Sequence, residues 1–217
     1  LLINLFQADQ LIPCDNIDKP HYLTSSLKWS GSGSPVGHPR LHQHIAYGLW
    51  QMRKYPEARQ HFLQSSDGQG CGHMLVEFHQ RRGFNSELDL FIAQTVLQYL
   101  CLKKLIEAAN VFRTYTKSHP NIKCDPPFSH PLLNFLWLLL VSIKVLNSTD
   151  FFLVISPHLF ADKQNVQAYT VLCEKYKQFI DRDPQYLEYL DKIGQNYFGI
   201  PPPRKARPGG MFSGNKT

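Results

Sequence analysis

Apolar residues recur along this chain three and four positions apart, and almost nowhere in the strict alternation that a half-buried strand requires. Pro39 to Met52 reads as a helix with Leu41, Ile45, Leu49 and Met52 on one face, and Pro56 opens another that carries Ala58, Phe62 and Leu63. "SSDGQGCG" reads as the loop that stops it. Met74, Leu75 and Phe78 line the next helix, which ends at Gly83, and Ser86 with Asp89 forms a capping-box-like pair ahead of Leu90, Ala93, Val96, Leu97 and Leu100. "LIEAANVFRTYTKSHP" is a further helix, stopped by Pro120. Val171, Leu172 and Tyr176 mark the penultimate one. Asp183 and Pro184 supply an N-cap and a first-turn proline for the last, with Tyr186, Leu187, Leu190, Ile193 and Phe198 leading down to Gly199. A short helix is also expected around residues 22–29, before the flexible loop "SGSGSPVGHP". The pattern predicts an all-α chain.

The most apolar stretch is "SHPLLNFLWLLLVSI", Ser129 to Ile143. Its uncharged core, Leu132 to Ile143, would reach only ~18 Å as a helix, against ~30 Å for the hydrocarbon of a bilayer. Extending it would bring Lys144, Asn147 and Asp150 toward mid-membrane at ~2.5–3.5 kcal/mol for each charge. A buried helix fits better, with Pro131 in the first turn, Ser129 as its cap, and cover on more than one side.

"LWQMRKYPEARQHF" and "YLCLKKLIEAANVF" align without gaps at a 50-residue offset, matching at Lys54 and Lys104, Glu57 and Glu107, Ala58 and Ala108, Phe62 and Phe112. The E-A-x-x-x-F core is similar to the second helix of a tetratricopeptide-type hairpin, although 50 exceeds the usual period of about 34. Coincidence between two ordinary hairpins is the competing reading. Short helices and short turns, with no glycine-rich phosphate loop, favour an α-solenoid over a catalytic α/β fold.

Composition adds limits. With 217 residues, 43% of them hydrophobic, the chain can bury a substantial core. Its net charge of +6 comes from scattered Lys and Arg, so nucleic-acid binding is not expected. Five cysteines without C-x-x-C spacing suit buried free thiols in a reducing compartment. "LLINLFQADQ" lacks the basic flank and cleavage site of a signal peptide, and without an initiator Met the chain is expected to begin inside a helix of a longer parent.

Candidate chemistry is thin. His38 and His42 could share a helix face, but His44 lies elsewhere and no Cys or carboxylate completes a zinc site, so no metal is expected. Asp67, Cys71 and His73 could be imagined as a thiol nucleophile with its base. Cys71 and His73 stand only two apart, however, and nothing activates the thiol, so no catalytic residue and no cofactor are assigned. Aromatics crowd the last 90 residues. Most will be core, but a few on a solenoid surface would grip a partner helix or peptide.

The segments "LKWSGSGSPVGHPRLH", "HFLQSSDGQGCGHMLVEF", "RGFNSELDLFIAQTVLQYLCLK", "PPFSHPLLNFLWLLL", "YTVLCEKY" and "RDPQYLEYLDKIGQNYFGIPPP" resemble, in this order, the Golgi-to-ER traffic protein four family. That family is also known as the cytosolic helical subunit of the transmembrane-domain recognition complex. The resemblance runs from about Leu27 to Pro203. It implies an α-solenoid of antiparallel helical hairpins, a tetratricopeptide-like right-handed superhelix, with a short β-hairpin allowed for in the C-terminal half.

By function it implies a non-enzymatic cytosolic adaptor in post-translational delivery of tail-anchored membrane proteins to the endoplasmic reticulum. The C-terminal half would hold a ubiquitin-like partner or a BAG-type scaffold, and N-terminal helices largely missing here would meet the targeting ATPase. Partner-binding residues chosen by surface chemistry are Phe135, Trp137, Tyr169, Tyr176, Tyr186, Tyr189, Tyr197 and Phe198. Residues 1–200 are read as solenoid and 201–217 as a disordered basic tail. Residues 144–168 form an atypical insert, for which a lineage-specific loop and a mis-joined exon compete. The alternative functions are a helical-repeat structural subunit of another complex, or a small hydrolase using Cys71.

Overall fold

The computed structural model describes residues 37–122, 125–147 and 162–202. Among these residues nine α-helices follow one another: α1 (Pro39–Gln51), α2 (Tyr55–Gln64), α3 (Gly68–Arg82), α4 (Leu88–Cys101), α5 (Leu105–Ser118), α6 (Pro131–Asn147), α7 (Asp162–Lys175), α8 (Lys177–Ile180) and α9 (Gln185–Phe198). A 3-10 turn, Asn85–Glu87, leads into α4. No strand occurs among the described residues, so the allowance for a β-hairpin finds no counterpart there. The helix expected at 22–29, residues 148–161 of the insert and the tail beyond 202 lie outside them.

Side-chain bonds reveal the stacking. Gln43 bonds Asp67 and Trp50 bonds Glu77, so α1 and α3 run parallel. The Arg59 guanidinium meets Gln94, the Tyr99 hydroxyl donates to the Phe62 carbonyl at 2.8 Å, and Lys104 Nζ donates to the carbonyls of Leu63 and Ser65, so α2 and α4 run parallel too. His79 meets His119 in the same sense between α3 and α5. Alternate helices therefore form two layers, each parallel within itself, as hairpin stacking in a solenoid requires.

The first correction concerns "SSDGQGCG". Ser65 to Asp67 are indeed the turn, but Gly68, Gly70 and Gly72 lie inside α3, whose N-terminus Asp67 caps by accepting from the Gly70 N–H at 2.7 Å. The glycines serve close approach rather than a loop. A Cβ on Gly68 would stand 2.4 Å from the Glu107 carbonyl oxygen, and one on Gly72 would stand 2.7 Å from Thr114 Cβ, because α5 lies directly against this face. Gly48, in α1, has nothing within 4 Å of its would-be Cβ. Two alanine substitutions should therefore differ in sign. Gly48→Ala is expected to stabilise by roughly 0.5–1 kcal/mol through helix propensity, and Gly68→Ala to destabilise by roughly 1–2 kcal/mol through overpacking against backbone. Urea denaturation of the two variants checks this, and equal effects would refute the close-approach argument.

The 50-residue echo proves to be a turn. Arg53 and Lys103 both adopt φ of 60°. At both sites the following lysine N–H reaches back five residues, Lys54 to Leu49 and Lys104 to Tyr99, at 2.9 and 3.0 Å. Ala58 and Ala108, and Phe62 and Phe112, are buried after it. Yet α1 and α4 belong to opposite layers, so the matched turns lie at opposite ends of the stack. The stacking unit relates α2 to α4 and α3 to α5 instead, and the shared sequence encodes one way of reversing a chain.

The helix α6 is covered by α4, α5, α7 and α8. Leu132, Leu133, Phe135, Leu136, Leu139 and Ile143 are fully buried, as the apolar pattern requires, and no described helix is long and apolar enough to cross a membrane. Its cap differs from expectation. The His130 carbonyl accepts the first helical N–H groups, while the Ser129 hydroxyl contacts His130 Nδ1. The Asn134 amide clamps the Phe128 backbone from both sides, at 2.6 and 2.7 Å.

Finally, α9 returns to lie parallel along α4. Gln98 Nε2 donates to the Tyr189 hydroxyl and Asn196 Nδ2 to the Cys101 carbonyl, across more than 90 residues of sequence. At its start, Arg182 makes two bonds to the Asp89 carboxylate and one to the Ser86 carbonyl. Asp89 is therefore engaged by an arginine of a distant loop rather than paired with Ser86 as a cap, and the Phe84 N–H turns to Glu87 instead.

Candidate functional site

In the C-terminal half, α7, α8 and α9 enclose a groove of about 260 Å³. Tyr169, Cys173, Ile180, Leu190, Gly194 and Ile200 line it, and Glu174, Lys177 and Asp191 contribute charges to its lining. Gly194 sets its width, since a Cβ there would come 3.1 Å from Ile200 Cδ1 and 3.4 Å from the Tyr169 ring. Tyr169 is fixed from both sides, its hydroxyl donating to the Leu190 carbonyl at 2.7 Å and its ring stacked on Phe198 at 4.3 Å. Leu187, also lining the groove, is 49% exposed, and Val171, on α7, is 58% exposed. Both were read from the sequence as marking buried faces. The structure instead leaves them outward, because the helices bury the neighbouring positions Tyr169, Tyr186 and Leu190.

The eight aromatics chosen for partner contact divide. Phe135, Tyr169, Tyr186 and Phe198 are buried, which corrects their reading as surface anchors; Phe135 packs beside Tyr176, and Tyr186 reaches the Leu90 carbonyl. Tyr176, Tyr189 and Tyr197 are half-buried, and Trp137 is exposed on α6. Of the eight, Tyr169 alone lines the groove. The clue that sequence reasoning missed was an apolar residue one position off the core stripe, Leu187 beside Tyr186.

The structure does not bring Cys71 and His73 together. Cys71 is wholly buried within α3, and burial pushes its thiol up to about 12, whereas His73 is exposed on another face and Asp67 is occupied as the cap. In the groove, burial raises the Cys173 thiol to about 11. The histidines near residue 40 have structural contacts: His38 Nδ1 accepts from the Arg40 N–H, and His42 pairs with His61 at 2.9 Å. No group of three metal-ligating side chains occurs among the described residues. What the arrangement can do is hold an apolar side chain presented between charges.

A family model described as Golgi to ER traffic protein 4 matches residues 1–214. The chain belongs to the Golgi to ER traffic protein 4 family. The match takes in residues 144–168 as well as those before Leu27. Proteins named Golgi to ER traffic protein 4 homolog are 45% identical to it in Homo sapiens and Bos taurus, over 98% of this chain and 60% of theirs. The one from Takifugu rubripes is 46% identical over 97% of this chain and 59% of its own length. This member of the traffic family thus spans about 60% of the length of those relatives. A crystal structure described as C. therm. Get4 superposes with a TM-score of 0.72 at 20% identity, covering 95% of this chain and 67% of that one. The α-solenoid fold is shared.

Proposed function

We propose that this member of the Golgi to ER traffic protein 4 family is a non-enzymatic cytosolic adaptor in the delivery of tail-anchored membrane proteins to the endoplasmic reticulum. Its C-terminal half would hold a ubiquitin-like partner or a BAG-type scaffold and so link it to the targeting ATPase. The observation that carries the reading is the groove between α7 and α9: concave, mostly apolar, with charges in its lining and outward-facing Leu187 beside it, which suits capture of a peptide or helix. A buried Cys71 and a half-buried Cys173, both with thiols pushed up by desolvation, support binding over catalysis.

The test is titration calorimetry of the full chain with each purified partner. Leu187→Glu is expected to weaken binding of the ubiquitin-like or BAG-type protein by tenfold or more while leaving the melting temperature within a few degrees, since the side chain lines the groove and is half exposed. Wild-type affinity in this variant would remove the groove from the interface, and no binding by the intact chain would sink the adaptor reading.

A further inference from the structure

Where α9 ends, the chain turns back onto the groove. Gly199 takes a φ of 65°, and the Gly199 and Ile200 N–H groups both reach back to the Gly194 carbonyl, that of Ile200 at 3.1 Å. A left-handed glycine that closes a helix in this way reverses the chain. Ile200 therefore packs beside Gly194 and becomes a lining residue of the groove, and Pro201 and Pro202 follow it, exposed. Whatever comes after them starts from the rim of the groove itself.

Two carboxylates wait there. Asp191 on α9 and Glu174 on α7 are exposed in the lining, and neither is ion-paired among the described residues, where the pairs are Arg81 with Glu77 and Arg182 with Asp89. Burial first, then Asp191 and Glu174, raise the Cys173 thiol, so both charges bear on one side chain of the groove. Among the described lining residues Lys177 is the one base, which leaves two carboxylates against one ammonium. Beyond Pro202 the sequence runs through Pro203 to Arg204, Lys205 and Arg207, with no acidic residue before Thr217. Arg204 stands four residues past Ile200, ~12 Å of chain in the extended form that consecutive prolines favour. Asp191 lies three residues back from Gly194, ~4.5 Å along the helix, and is well within that reach. Exposed charge pairs are individually weak. A tether this short, however, holds the segment at an effective concentration in the millimolar range, so a contact with a dissociation constant of only about 1 mM is half formed.

We propose that Arg204, Lys205 and Arg207 fold back onto Asp191 and Glu174 and partly cover the groove in cis, so that a partner must displace this chain's own basic segment. The contact stands apart from the adaptor reading, on which only the competition rests. Two measurements on the full chain test it, at about 50 mM salt, where surface charges are weakly screened. Trypsin cuts after Arg204 and Lys205 only while the segment is free. In the double variant Glu174→Gln, Asp191→Asn this cleavage should run two- to fivefold faster than in the wild type, and about 0.5 M salt should bring the wild type up to the same rate. Melting should stay unchanged, because both carboxylates are exposed. Titration with the ubiquitin-like or BAG-type protein should show the triple variant Arg204→Glu, Lys205→Glu, Arg207→Glu binding two- to fivefold more tightly than the wild type, since the open groove is then the whole population. Equal cleavage rates with and without the two carboxylates overturn the contact and leave the adaptor standing, and a partner that binds the triple variant no more tightly overturns the competition. Protection that grows with protein concentration also overturns it, because the segment then lies on a second copy. Protection as expected, with neither protein bound by the intact chain, upholds the contact and overturns the adaptor.

Discussion

Replacing Arg182 with alanine is expected to destabilise the fold by about 3–5 kcal/mol, the cost of leaving a buried charge without its counter-ion. The Asp89 carboxylate is 4% exposed and receives two bonds from Arg182 Nη1, the shorter at 2.8 Å. Arginine also closes the Ser86 carbonyl, which a lysine at 182 could not do while keeping the same fork. If the unpaired carboxylate is the source of the loss, adding Asp89→Asn to the alanine variant should recover part of it, since the amide needs no counter-ion. Chemical denaturation of the two variants decides the matter. A loss under about 1 kcal/mol for Arg182→Ala would mean that solvent reaches Asp89 and the pair is an ordinary surface contact.

Acid should weaken the fold through His119. His79 Nε2 faces the Phe84 carbonyl and must carry a hydrogen, so His79 Nδ1 accepts from His119 Nε2 at 2.9 Å, and His119 Nδ1 accepts the Asn121 N–H. A further proton on His119 would set its N–H against that of Asn121. Burial first, then His79 and His130, hold the His119 imidazole down from its ordinary value to about 4. The unfolded chain therefore binds a proton near pH 6.5 that the folded chain refuses until about 4. The stabilisation is whole above pH 6.5 and is lost as pH falls through this window, by about 2 kcal/mol at pH 5 and about 3 kcal/mol at pH 4. His61, lowered by burial and by His42, acts in the same direction. Comparing urea denaturation at pH 7.5 and pH 5 for the wild type and His119→Gln measures it. The variant should show a flatter dependence, and equal slopes would exonerate the pair.

The helices were legible because their burial follows sequence spacing. Ala58 and Phe62, Leu97 and Leu100, Leu190 and Ile193 fall where the 3.6-residue period puts them. "SHPLLNFLWLLLVSI" was legible as interior for the same reason. Glycine misled, because its two uses look alike in one dimension: Gly68 and Gly72 permit contact with a helix some 40 residues away, and nothing local distinguishes that from a turn. The interface aromatics misled for a related reason. Tyr169 and Tyr186 carry a hydroxyl that suggests water, yet each spends it on a carbonyl of another helix. Asp89 as partner of Arg182 had no signal in the sequence, since the two stand 93 residues apart.

That same separation sets a timetable. The bond between Tyr99 and Phe62 spans 37 residues and the one between Gln98 and Tyr189 spans 91. Closing the longer loop costs only about 0.8 kcal/mol more, so the distance matters little once the chain is complete. During synthesis at about 5–20 residues per second it matters considerably, because the side of α4 destined for α9 stays uncovered for roughly 5–18 seconds after α4 has left the ribosome. Until α9 emerges, the nascent protein carries its own vacant binding surface.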